Sequence, residues 1–222
     1  ATDKEAQAKA AAEASAPAVA GQVVIGGDSY IIAEPGDETV SMYYLLHIQN
    51  GARAPVNPPS PFMFDMPTGA SGTTILEGSS PNAGAVGNTV RVQGPFPPGD
   101  TFVQIGYELP ASSGAIEISQ RFPAAFEQIS VMVKKEGDAR LASPQIQRQQ
   151  EMPANGQVVI VGAGGALPAG QPLTLSITGL PHHSAFGEVA ALSLAGAIVL
   201  VGIWLSRGPS DDPSRRAEQK RL

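Results

Sequence analysis

Between Gly21 and Gly179 the apolar positions come in short runs, each closed by Gly, Pro, Asn or Asp. QVVIGG, DSYIIAE, TVSMYYLLHIQN, SPFMFDMP, TTILEG, NTVRVQG, TFVQIGYELP, AIEISQRF, FEQISVMVKK, QVVIVGAG and PLTLSITGL all read as strands, because brief alternating or apolar runs bounded by turn residues suit a half-buried pleat. In the third run alternation puts Val40, Met42, Tyr44, Leu46 and Ile48 on one face, with Ser41, Tyr43, Leu45, His47 and Gln49 on the other. That second face is mixed, as in a partly covered strand. Thr101, Val103, Ile105, Tyr107 and Leu109 alternate in the same way, so Val103, Ile105 and Tyr107 are expected to share a buried face with Met42, Tyr44 and Leu46. About eight to eleven strands at intervals of roughly ten residues indicate an all-β fold, an antiparallel sandwich in preference to a barrel. LASPQIQRQQEMPANG, from Leu141, lacks apolar periodicity and reads as a connector along a sandwich edge. GQVVIGG from Gly21 matches GQVVIVG from Gly156, but two distant copies do not make a repeat array.

The pattern changes at Phe186. FGEVAALSLAGAIVLVGIWL runs to Leu205 with one charge, Glu188, and from Val189 onward only Ser193 is polar. About 20 residues at about 1.5 Å each span a bilayer core of roughly 30 Å, which predicts a transmembrane helix over 186–206. A buried core helix would carry a polar stripe instead. Ser193, Gly196, Ala197 and Gly202 supply small side chains for close helix packing, and Phe186, Trp204 and Arg207 sit where interfacial residues are expected. Arg207, Arg215, Arg216, Lys220 and Arg221 follow the span, whereas 172–186 holds no Lys or Arg. The positive-inside rule therefore places 207–222 as a basic cytoplasmic tail and exports 21–180 to the periplasm. An exported chain needs a signal, so Ala1 is expected to follow a signal-peptidase cut.

Residues 1–20 are half Ala, with Lys and Glu but no bulky apolar side chain. A marginal helix over 3–15 fits this composition, yet it has no face with which to dock, which predicts an arm held by other chains. The 25 Gly and 20 Pro of 222 residues disfavour a helical bundle. The absence of Cys excludes disulfides, thiolate metal sites and Cys nucleophiles. A net charge of -6 disfavours a nucleic-acid partner.

In the middle of the chain, YYLLHIQNGARAPV, PFMFDMPTGA, VQGPFPPGDTFVQIGYELP and ISQRFPAAFEQISVMV follow one another. Asn50, Met66-Pro67 with Gly69, Pro97-Pro98-Gly99, Tyr107 with Leu109-Pro110, and the apolar strand 129–133 resemble exported, membrane-anchored bacterial β-sandwich proteins of the carboxypeptidase-regulatory-like-domain group. The likeness covers about 40–135 plus the anchor. It implies an exported sandwich ending in a transmembrane helix, and it carries no catalytic, cofactor or metal residue onto this chain. The chain departs from the pattern in having only the Ala-rich segment ahead of Gly21.

Candidate chemistry is sparse. Val158–Gly164 leads a strand into Gly162 and Gly164, but Leu167 stands where a dinucleotide fingerprint needs its third Gly and Pro168 follows, so a strand and turn fit better than a cofactor loop. The His182-His183 pair could ligate a metal or pigment, although adjacent side chains on a strand point apart. His47 reads as structural. Asp65, Glu77, Glu108 and Glu117 offer carboxylates with nothing to select a catalytic pair, and Asp28, Glu34, Asp37 and Glu38 crowd one region without a calcium-loop pattern. No elbow of the G-x-S-x-G type occurs. The expectation is a chain with no catalytic, cofactor or metal residues: a non-catalytic accessory subunit of a membrane complex, photosynthetic or respiratory, whose partners are integral membrane subunits and lipid. The alternative is a surface module for a glycan or peptide, which usually exposes aromatics for stacking; the one Trp lies in the apolar span.

Overall fold

The computed structural model describes residues 12–111, 113–154 and 156–181. The expected anchor and tail lie outside the described residues, as do 1–11 of the arm. In chain order the strands are β1 (Val19–Ala20), β2 (Val24–Ile25), β3 (Tyr30–Pro35), β4 (Thr39–Asn50), β5 (Val56–Asn57), β6 (Phe62–Asp65), β7 (Ser71–Ile75), β8 (Ala83–Val86) and β9 (Thr89–Val92). They continue with β10 (Gly99–Pro110), β11 (Ala115–Arg121), β12 (Ala125–Phe126), β13 (Ile129–Lys134), β14 (Arg140–Ala142), β15 (Ile146–Ala154), β16 (Gln157–Gly164) and β17 (Pro172–Thr178). The fold is all-β, in several sheets.

The largest sheet is built on the twelve-residue strands β4 and β10, antiparallel over their full length with Tyr107 opposite Met42, Ile105 opposite Tyr44 and Val103 opposite Leu46. All six of these side chains are buried on one face, as their alternation predicts. β2 and β12 prolong the lines of β3 and β13, so the sheet runs β7-β10-β4-β3-β13-β16-β15. Two three-stranded sheets, β11-β17-β14 and β6-β9-β8, contribute to the same apolar core. Phe122, just after β11, joins them: its ring lies 5.5 Å from Tyr44, 5.1 Å from Phe64 and 4.9 Å from Phe126. Offset and edge-on aromatic pairs of this kind contribute about 0.5–1.5 kcal/mol each beyond their burial.

Two local expectations are corrected. Pairing is not wholly antiparallel, since β3 and β13 run side by side in parallel with Ile31 opposite Val131. Alternation sets which face a residue takes but is blind to strand direction, and β13 returns beside β3 only after the chain has laid down the intervening strands. The connector from Leu141 contains β14 and the nine-residue edge strand β15, antiparallel to β16. Its periodicity is missing because nearly every residue from Gln147 to Ala154 is exposed on both faces. Arg148, Glu151 and Pro153 are the side chains expected on an edge protected against further pairing.

The glycines of β16 have a packing reason. A Cβ on Gly162 would lie 2.7 Å from the Ile146 side chain, and one on Gly164 would run into the Gln145 carbonyl. The chain entering β15 crosses β16 so closely that at Gly164 the backbone leaves no room for a side chain, whereas at Gly162 the end of Ile146 would have to move.

Candidate functional site

β4 and β10 give the domain two ends. Near the Thr39 end, Ala111 N–H donates to Glu38 O (2.7 Å) and Leu180 N–H to Gly114 O (3.0 Å). The described chain therefore leaves toward 186–206 from this end. Near the Asn50 end, Val19 N–H donates to Pro55 O (2.8 Å) and β1 pairs in parallel with β5, so Val19 and Ala20, at the end of the arm, dock here. A twelve-residue strand at about 3.4 Å per residue separates the two exits by roughly 37 Å.

The Asn50 end is built around one buried amide. Asn50 is 3% exposed; its Nδ2 donates to Ala54 O and to Phe96 O, both at 2.9 Å, and its Oδ1 accepts from Ala52 N–H at 2.9 Å. These bonds fold the 51–55 turn over the strand end and tie it to 94–98. Val56 and Phe96 then exchange backbone bonds of 2.9 and 2.8 Å. Pro58, Pro59, Pro61 and Pro123 surround this platform. A cleft of about 150 Å³ between Gln22–Val24, Pro58, Phe62 and Ala125 adjoins a wider one of about 490 Å³ lined by Asn57, Pro59, Arg91 and Gln93.

A second surface is the outward face of the large sheet. Tyr43, Leu45, Tyr30, Ile32, Met132 and Val161 are half-buried there, and Phe102 is 46% exposed, its ring 4.5 Å from His47 and edge-on to it. Among the described residues no second layer covers this face. Its signal in the sequence is the mixed second face of Thr39–Asn50, where Tyr43 and Leu45 stand at positions that solvent would fill with polar residues.

The buried Tyr44 and Tyr107 form an internal hydroxyl pair. Tyr107 Oη donates to Tyr44 Oη at 2.7 Å, with ring centroids 5.2 Å apart. Burial raises the Tyr44 phenol well above its usual range, and the neighbouring Tyr107 raises it further. Burial also raises Tyr107, against the lowering pull of the bond to Tyr44. Both stay protonated, in a position that knits β4 to β10 rather than facing a cleft.

The remaining candidates are dispersed. Glu108 is exposed on the outward face of the large sheet and Glu117 on an exposed face of β11 in another sheet. Asp65 accepts from Thr89 Oγ1 at 2.6 Å. Among the described residues no three His, Asp or Glu side chains group as metal ligands. Gly162 and Gly164 accommodate the close approach of the chain entering β15. Phe186, Ser193, Gly196, Ala197, Gly202, Trp204 and Arg207, with His182 and His183, lie outside the described residues. Among those described, no helix is long and apolar enough to cross a membrane.

No family model and no curated protein matches the chain. Among solved structures it is similar to an M1 zinc metallopeptidase from Deinococcus radiodurans, seen as an E323A mutant bound to a Tyr-Ser-Ala substrate, at 14% identity and a TM-score of 0.41. A second structure of that metallopeptidase gives 16% identity and a TM-score of 0.38. Each alignment covers 71% of this chain and 42% of the peptidase chain, so the likeness spans less than half of the larger protein. The yeast delta-COP-I mu-homology domain, complexed with a Dsl1 peptide, aligns over 74% of this chain and 76% of its own at 9% identity and a TM-score of 0.20. Likenesses this distant assign no family.

Proposed function

We propose that the chain is a non-catalytic, single-pass accessory subunit of a larger membrane complex, photosynthetic or respiratory. Its exported β-sandwich, 21–180, packs on integral membrane partners, and a helix over 186–206 holds it in lipid with 207–222 in the cytoplasm. The observation that carries this reading is the separation of the two exits: the arm leaves the Asn50 end and the chain toward the apolar span leaves the Thr39 end. One end serves a protein contact and the other a tether. The resemblance of about 40–135 to exported, anchored sandwich proteins supports it, as does the cationic flank of the span. Ser193, Gly196, Ala197 and Gly202 would seat a neighbouring helix, while Phe186, Trp204 and Arg207 would mark the interfaces.

Two linked measurements test this reading. A reporter at Leu222 should be active only in the cytoplasm and one placed at the exposed Gly87 turn only outside it; a tail found outside removes the tether. Deleting 1–20 should weaken retention in the complex while the domain stays folded, because the deletion removes β1 and little core. The same stoichiometry with and without the arm would show that it contributes nothing to assembly.

A surface module for a glycan or peptide is the second reading, favoured by the cleft at Pro59, Arg91 and Gln93. Such a module would be isolated from membranes alone.

A further inference from the structure

We infer that the outward face of the large sheet is a homodimer interface, in which a second copy of this chain packs sheet to sheet about a two-fold axis running along the strands between β3 and β13. The face itself is independent of the subunit reading; the direction of the axis rests on the proposed tether. Tyr43, Ile32, Met132 and Val161 stand in one row across β4, β3, β13 and β16, as their pairings show. Leu45 and Tyr30 occupy the next level, and Leu76 lies over Gly106 on the far side of Tyr43. At about 4.8 Å between strands and about 6.8 Å between levels, this apolar area is on the order of 230 Å², and the whole outward face roughly 700 Å². The whole face approaches the roughly 800 Å² per partner of a standard stable interface.

The charges on this face favour a second copy over another protein. Glu34 on β3 and Lys134 on β13, whose Nζ also lies 2.6 Å from Glu136 Oε1 of its own chain, share the level next to the apolar row, one on each side of the proposed axis. Two-fold rotation about that axis puts Glu34 of each copy opposite Lys134 of the other, Ile32 opposite Met132, and Tyr43 opposite Val161. Gln104 comes opposite Arg148, so no like charges meet across these levels. Twisted sheets packed face to face touch most closely at their centre, and here the centre is the apolar β3–β13 pair. An axis along the strands also leaves both Pro181 exits at the same end of the dimer, as two chains tethered in one bilayer require. An axis across the strands would put them at opposite ends.

The test uses the full chain, solubilised in a mild detergent and measured by analytical ultracentrifugation over a concentration series. The wild type should form a dimer. Ile32→Glu should raise the dimer dissociation constant about 100-fold by burying an unpaired charge, with strand circular dichroism unchanged. Glu34→Lys and Lys134→Glu should each weaken the dimer about tenfold, and the double exchange should restore it. This charge exchange keeps the test decisive should Ile32→Glu fail to fold. A monomeric wild type overturns the inference, as does a dimer indifferent to these changes, which would place the contact in the helix or elsewhere. A homodimer found without other subunits would uphold this inference and remove the subunit reading. Partner subunits on a monomeric chain would do the reverse.

Discussion

Truncating Tyr107 to Ala should lower the unfolding free energy by about 3–5 kcal/mol, read as a drop in the urea midpoint at unchanged slope. The ring is 3% exposed, sits edge-on to Tyr44 and lies opposite Met42 on the buried face of the β4–β10 pairing. Its removal opens a cavity and strips the buried Tyr44 hydroxyl of its partner. Tyr107→Phe keeps the ring and loses only the bond, so it should cost about 1–2 kcal/mol. The same pair sets an alkaline limit. Burial raises both phenols above the unfolded value near 10. Above that pH the unfolded chain gives up protons that the folded chain retains. The stabilisation is therefore complete below about pH 10 and falls as pH rises, by up to about 1.4 kcal/mol per pH unit for each tyrosine. Wild-type melting of Tyr107→Ala would mean that the β4–β10 face is not the core.

Asn50→Leu should cost about 3 kcal/mol or more, although Leu is apolar and has the same branched outline. Three hydrogen bonds are lost, although the Phe96 carbonyl keeps the Val56 N–H; each bond contributes about 0.5–1.5 kcal/mol net. The damage should spread along the Asn50 end, since the 51–55 turn positions β5 and β5 holds β1. Amide exchange at Val19 and Val56 should accelerate more than at Ile105, which lies within the β4–β10 pairing. Asn50→Asp keeps the acceptor for Ala52 N–H but sets a buried carboxylate oxygen against the Ala54 and Phe96 carbonyls, and should cost at least as much as Leu. Uniform acceleration of exchange would show that Asn50 only supports the core and does not organise the arm-bearing end.

The all-β class and the buried faces of the long strands were legible because side chains alternate with period two and turns need Gly, Pro, Asn or Asp. Met42, Tyr44 and Leu46 opposite Val103, Ile105 and Tyr107 follow directly from that alternation. The direction of β13 was not legible, since Val131 faces the core whether its neighbour runs with it or against it. β15 was hidden for a different reason: an edge strand exposed on both sides leaves Gln147 to Ala154 with no pattern to read. The candidate surface was half legible. Tyr43 and Leu45 broke the polar face of β4, but only the register that sets Ile32 beside Tyr43 and Met132 beside Ile32 turns scattered apolar residues into one patch. The Asn50 platform depends on Phe96, far away in sequence, and no local pattern announces such a contact. The small residues of the apolar span remain an expectation from composition and spacing.

The central claim is that this chain works as part of a larger membrane assembly. The most direct test is to purify the tagged full chain from its native membranes after mild solubilisation and to determine the stoichiometry of what accompanies it. The account predicts a discrete complex containing integral membrane subunits at fixed ratio to this chain, with recovery reduced by deleting 1–20 and by Gly196→Leu. Isolation of this chain alone, as a monomer or as a homodimer with no other subunit, would contradict it.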